Sequence, residues 1–213
     1  MRTVTITNTY EVFKFNELSE SAKEEVKRWY LDHQEAEFFT EQCKEDLRNL
    51  FGENNLEVQY SLASCQGDGF NIYGMINAEA IFNCLEKHNG GCQLEEFENM
   101  FTEEEKRTIL NYGTEVDIKL PYNRHYCYSL ADRIDIVDEW QWYFEEDYSK
   151  EVLEKDRKLL EKFENIVRGI FFTLCRDYEK QGYEFFYEIN EEDLEEECDS
   201  NDWDFLKDGT LFI

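Results

Sequence analysis

The chain has 213 residues, with 50 Asp or Glu against 22 Lys or Arg and a formal net charge of −28. A small domain ordinarily carries a net charge of magnitude about 2–8, so this excess disfavours direct nucleic-acid binding, which depends on cations displacing counterions from phosphate, and adsorption to anionic membranes. Disorder is disfavoured as well: Leu, Ile, Val and Phe make up about 26 % of the chain, above the ~20 % floor of disordered sequences, and there is a single proline, Pro121.

Residues 1–12 lack the apolar stretch of a signal peptide, and no apolar run reaches the ~18 residues a membrane span needs. The seven cysteines (43, 65, 84, 92, 127, 175 and 198) form an odd, scattered set, expected as reduced thiols in a soluble, cytoplasmic protein.

Ser19 or Ser21 can cap a first helix with Ala22, Val26, Trp29 and Tyr30 inward, and Ser21 and Glu24 have capping-box spacing. A second helix is predicted over 36–51, with Phe38, Phe39, Leu47, Leu50 and Phe51 inward and Gly52 at its end. The period then changes to two: Leu56, Val58, Tyr60 and Leu62, followed by Phe70, Ile72 and Ile76, read as a hairpin around the turn Gln66-Gly67-Asp68-Gly69. Helices are predicted over 78–88 and 94–112, separated by Gly90-Gly91. A second strand pair follows, Val116, Ile118 and Leu120, then Tyr126, Tyr128, Leu130, Ile134 and Ile136, turning at Pro121-Tyr122-Asn123.

The strongest periodicity runs from Asp147 to Gln181, a long amphipathic helix stopped by Gly182. A strand over Tyr183–Ile189, an acidic helix from Asn190 and a closing hairpin (Trp203–Phe205, Asp208-Gly209, Leu211–Ile213) complete the chain. No repeat or linker divides it, so the expected architecture is one α+β domain over 1–213, an antiparallel sheet of about four to five strands packed with helices.

Catalytic signatures are scarce. There is no phosphate-binding glycine loop, dinucleotide fingerprint, His-Glu-x-x-His, nucleophile elbow or CxxC. His125 and Cys127 share a face of a predicted strand and could form a thiolate–imidazole pair, but same-face strand neighbours are usually packing or surface residues. Cys84, His88 and Cys92 have zinc-like spacing, yet Asn89-Gly90-Gly91 interrupts the helix and no fourth ligand is near. No metal, cofactor or enzyme activity is therefore expected.

The acids themselves are unevenly placed. Between Glu184 and Asp204 eleven acids occupy 21 residues with no base, and Asp138–Asp147 is a second base-free stretch containing Glu145, Glu146 and Asp147. A solvated helix face explains some of them, since acids in a first turn favour the helix dipole. Repeated i, i+4 pairs such as Glu188/Glu192, Glu191/Glu195, Glu192/Glu196 and Glu195/Asp199 each cost a few tenths of a kcal/mol, which suggests a gain from the field. Such carboxylates stand about 5–6 Å apart, of the order of successive phosphates along one strand, so they can imitate a nucleic-acid backbone to a Lys/Arg-lined cleft. Plain solubility, including adaptation to high salt, and partner binding through a local surface unrelated to mimicry are the alternative explanations of the charge.

Three blocks carry a resemblance: Lys14-Phe15-Asn16-Glu17-Leu18-Ser19 with Ala22-Lys23 and Trp29-Tyr30; Gln66-Gly67-Asp68-Gly69-Phe70; and Asn201-Asp202-Trp203-Asp204-Phe205 before Asp208-Gly209. Together they resemble a family of small acidic bacteriophage and prophage proteins, often labelled antitoxin-like. Where that family's turn reads Ser-Gln-Gly-Asp-Gly, this chain has Cys65. The chain is also similar in character to phage anti-CRISPR and anti-restriction inhibitors. The resemblance implies a phage origin, action inside the bacterial host cell and no established catalytic residues. With the acids, it leads to an expected inhibitor of a bacterial defence nuclease, a monomer or homodimer that occupies the enzyme's basic nucleic-acid cleft. The expected contacts are Glu188, Glu191, Glu192, Glu195, Glu196, Asp199, Asp202 and Asp204, with Glu145, Glu146 and Asp147. The alternatives are an antitoxin neutralising a basic toxin, and a hydrolase using His125 and Cys127.

Overall fold

In the computed structural model the described residues are 4, 8–63, 65, 67–87, 94–97, 99–120, 134–137 and 150–212. They form an α+β fold. In chain order the elements are α1 (Glu20–Asp32), α2 (Ala36–Phe51), β1 (Glu57–Ser61), β2 (Gly69–Asn77), α3 (Ala78–Lys87), α4 (Glu103–Asn111), β3 (Glu115–Ile118), β4 (Ile134–Val137), α5 (Lys150–Tyr187) and α6 (Glu191–Ser200). The chain divides into two compact units, Glu37–Gly182 and a smaller one in which Met1–Ala36 is joined by Tyr183–Ile213.

In the larger unit the strands pair antiparallel in the order β1-β2-β3-β4. Tyr60 lies opposite Phe70, Val58 opposite Ile72 and Ile76 opposite Val116, so the alternating apolar residues share one face. Helices cover that face: Phe39 of α2 meets Tyr60 edge-on at 5.4 Å, and Tyr178 of α5 lies 5.2 Å from Phe70. Phe51 and Phe171 stack at 5.5 Å, and Phe82, Phe101 and Phe163 form a second aromatic cluster with centroids 5.4–5.9 Å apart. Each such side chain contributes about 1.5–3 kcal/mol of burial, which is what the long apolar stripe of α5 is for.

Several expectations need correction. The helix expected over 94–112 is broken: a short 3-10 turn at Glu95–Phe97 precedes Asn99 in the left-handed region (φ 58°), and α4 begins afresh behind Thr102. There the Glu105 amide donates to Thr102 Oγ1 at 3.2 Å and the Thr102 amide to Glu105 Oε2 at 2.8 Å, a reciprocal cap whose Thr-x-x-Glu spacing is present in the sequence. Of the two serines expected as caps for α1, Ser19 serves, accepting from the Ala22 amide at 3.4 Å. Phe38, expected inward, is 66 % exposed.

The segment Tyr183–Ile189, expected as a strand, continues α5 to Tyr187. Gly182 does not stop the helix. A Cβ built there would lie 2.3 Å from Leu62 Cδ1 and 3.0 Å from Phe39 Cζ, so the glycine makes room for packed neighbours. Among the described residues the sheet therefore does not reach five strands: β1 to β3 form its body and β4 adds an edge of 4 residues. His88, Cys92, the turn at 121–123, Tyr126, Tyr128 and Leu130, the His125/Cys127 pair and the acidic stretch 138–147 lie outside the described residues.

Candidate functional site

The smaller unit is assembled from segments far apart in sequence. Phe15, Leu18, Ala22 and Val26 bury themselves with Leu194 and Cys198 of α6 and with Phe205. Phe13 and Phe205 exchange both backbone hydrogen bonds at 2.9 Å, and Phe205 also bridges to Leu211. The expected closing hairpin is therefore realised as single bridges, with the addition of Phe13, whose part the sequence did not announce. Trp203 meets Trp29 edge-on at 5.1 Å.

Two lysines hold the segments electrostatically. Lys14 Nζ donates to Asp202 at 2.7 Å and to the Trp203 carbonyl at 3.3 Å, and stands 3.1 Å from Asp204. The hydrogen bond to Asp202 raises the Lys14 pKa and lowers that of Asp202. Lys23 is paired with Glu191, whose hydrogen bond raises its pKa, and lies 5.4 Å above the Phe15 ring. Burial pushes the Cys198 thiol up to about 11, so it behaves as a small apolar residue. Two of the three blocks quoted above, Lys14–Ser19 with Trp29-Tyr30 and Asn201–Phe205, thus form one packed and ion-paired junction.

Helix α6 starts where Asn190 Oδ1 accepts from the Asp193 amide at 2.8 Å, with Glu191, Glu192 and Asp193 in the first turn. Leu194 and Cys198, one turn apart, point into the core. On the opposite side of the helix run Glu192, Glu196 and Asp199, all exposed, at i, i+4 and i+7. The sequence-predicted contacts therefore fall into sets. Glu191, Asp202 and Asp204 are engaged by Lys23 and Lys14. Glu195 is half-buried and adds to the field on Lys23. Glu188, Glu192, Glu196 and Asp199 are exposed and form no ion pair among the described residues. Glu145, Glu146 and Asp147 lie outside the described residues.

The middle block belongs to the larger unit. Asp68 is buried and accepts from Ser61 Oγ at 3.0 Å, the Cys65 amide at 2.8 Å and Cys65 Sγ at 3.2 Å, which closes the loop between β1 and β2. Its carboxylate is thus engaged in shaping the turn. Among the described residues no group of three His, Cys, Asp or Glu is placed to hold a metal ion, and no helix is long and apolar enough to cross a membrane.

One recess adjoins the acidic helix: a groove of about 450 Å³ lined by Lys27, Tyr187, Glu188, Ile189, Asn190 and Asp193. Sequence reasoning found only Glu188 of this set, because Lys27 comes from α1 and Tyr187 was assigned to a strand. No known protein family, curated protein or solved structure matches this chain.

Proposed function

We propose that the chain is a phage-encoded inhibitor of a bacterial defence nuclease, a CRISPR effector or restriction enzyme, and that it works as a stoichiometric binder and not as an enzyme. In this reading α6 occupies the nuclease's basic nucleic-acid cleft as a backbone mimic, without a cofactor. The observation that carries it is the exposed row Glu192, Glu196 and Asp199, without an ion pair among the described residues, on the outer side of a helix whose inner side is fixed by Leu194 and Cys198. Seven residues of helix span about 10 Å. One strand of a duplex carries about one charge per 3.4 Å, or about three over that length. The row therefore matches the charge density of a single strand, though not of a whole duplex. A helix already held in place loses little entropy when it docks, and among the described residues no cation pairs with Glu192 or Glu196 to offset their repulsion. The phage assignment rests on the resemblance of the three blocks.

The test is capture of partners from a lysate of a defence-bearing host by tagged protein at about 0.1 M salt, alongside the variant Glu192→Gln/Glu196→Gln/Asp199→Asn. Wild type is expected to retain a basic nuclease that competing DNA displaces, and to inhibit its cleavage. The variant should bind at least about tenfold more weakly, equivalent to ~1.4 kcal/mol, yet be equally or slightly more stable, since it loses repulsion of about 0.2–0.5 kcal/mol per pair. Full potency in the folded variant overturns mimicry by this helix. Retention instead of a small basic toxin, encoded beside this chain, replaces the nuclease reading with an antitoxin.

A further inference from the structure

The groove beside α6 has a composition that the acidic row alone does not explain. Its wall includes Tyr187, which keeps 48 % of its surface exposed while its ring lies 6.0 Å from that of Tyr183, and the half-buried Ile189. Carboxylates come from two segments, Glu188 just beyond α5 and Asp193 in the first turn of α6. Asp193 accepts from Asn190 Nδ2 at 2.6 Å through Oδ2, and among the described residues Oδ1 has no donor. Lys27 supplies a half-buried stem, and its ammonium forms no ion pair among the described residues.

An aromatic face with two separated carboxylates suits a planar, delocalised cation. Guanidinium stacks on rings, is weakly hydrated and spreads five donors in a fixed fork, whereas ammonium is a compact, strongly hydrated point charge. A phosphate or carboxylate ligand is disfavoured by Glu188 and Asp193. Resting on the reading of the acidic helix as a partner surface, we propose that this groove is an anchor site for an arginine side chain of the basic partner, selected over lysine by Tyr187. Lys27 opposes the incoming cation and limits its affinity. Glu188 belongs both to the groove and to the acids without an ion pair among the described residues, so one basic segment can seat an arginine here and lay its other cations along Glu192, Glu196 and Asp199.

The experiment measures binding of the full chain to nona-arginine and nona-lysine, equal in length and charge, at about 0.1 M salt, with circular dichroism confirming that each variant is folded. Wild type should prefer the arginine peptide by about two- to fivefold, the range of one exposed cation–π contact. Tyr187→Leu should erase that preference while both peptides still bind. Lys27→Gln should tighten the arginine peptide severalfold, the opposite of what loss of a merely structural residue does. Glu192→Gln/Glu196→Gln/Asp199→Asn should weaken both peptides alike and leave their ratio unchanged. Equal affinities for wild type, or a preference that survives Tyr187→Leu, overturns the anchor site while leaving the acidic helix as the partner surface. Failure of both peptides to bind overturns the two readings together.

Discussion

Lys14 ties two carboxylates from the far end of the chain into the smaller unit, Asp202 at 2.7 Å and Asp204 at 3.1 Å. The paired Lys14 pKa is raised above 10.5, so its contribution is complete below that value and is lost only as pH rises through the folded pKa. The Asp202 pKa is depressed below 3.8, so its contribution is present above that value and is lost as pH falls through the folded pKa. The pair therefore operates between about pH 4 and pH 10. In urea unfolding followed by tryptophan fluorescence, Lys14→Met should be less stable than wild type at pH 7. The gap should narrow toward pH 2, as the pH falls through the lowered pKa of Asp202. A gap of equal size at both pH values points to lost packing by the lysine stem instead of a lost ion pair.

Among the elements, Gly182 shows why a local signal and a tertiary outcome diverge. In isolation glycine costs a helix about 1 kcal/mol relative to alanine and often follows its end. Here its bareness is occupied by Leu62 and Phe39, and the helix gains more by continuing than by stopping. Gly182→Ala sets a propensity gain of about 1 kcal/mol against overpacking of about 1–3 kcal/mol. The expected result is a net loss of about 0–2 kcal/mol, and Gly182→Val should cost more, both read from the midpoint of urea unfolding. A clear stabilisation by alanine would mean that Leu62 moves aside freely. The second helix, the β1–β2 hairpin and the acidic helix were legible because their patterns follow a local period of 3.6 or 2. Phe38 was misread because adjacent helical residues point about 100° apart, and the buried stripe of this helix runs through Phe39, Cys43, Leu47 and Phe51, with Phe38 on its far side. The sorting of the acids was not legible at all: Asp202 finds its lysine 188 residues away and Glu191 finds its own at 168. Only a fold that brings the two segments together separates engaged carboxylates from available ones.

At the scale of the whole molecule, the charge of −28 acts on folding and on association with opposite dependence on salt. Within the chain, 22 bases cannot neutralise 50 acids, and a compact state of such charge repels itself. The exposed pairs that salt also weakens are worth only about 0–1 kcal/mol each. Screening should therefore stabilise the protein on balance. Raising salt from about 0.05 to 0.5 M shortens the screening length to well below 10 Å. If the net relief is about 1 kcal/mol, the melting temperature of a chain this size rises by about 2–4 °C. Over the same range, affinity for a basic partner should fall steeply, because steering and charge pairing are what screening removes. The two curves must be measured on the same preparation. An acid excess serving solubility alone gives the rising melting curve and no salt-sensitive partner. An apolar interface gives a partner that 0.5 M salt does not displace. Only the acidic helix acting as a decoy couples a protein that grows more stable with salt to a complex that dissolves in it, and replacing Glu192, Glu196 and Asp199 by their amides should flatten the second curve while barely changing the first.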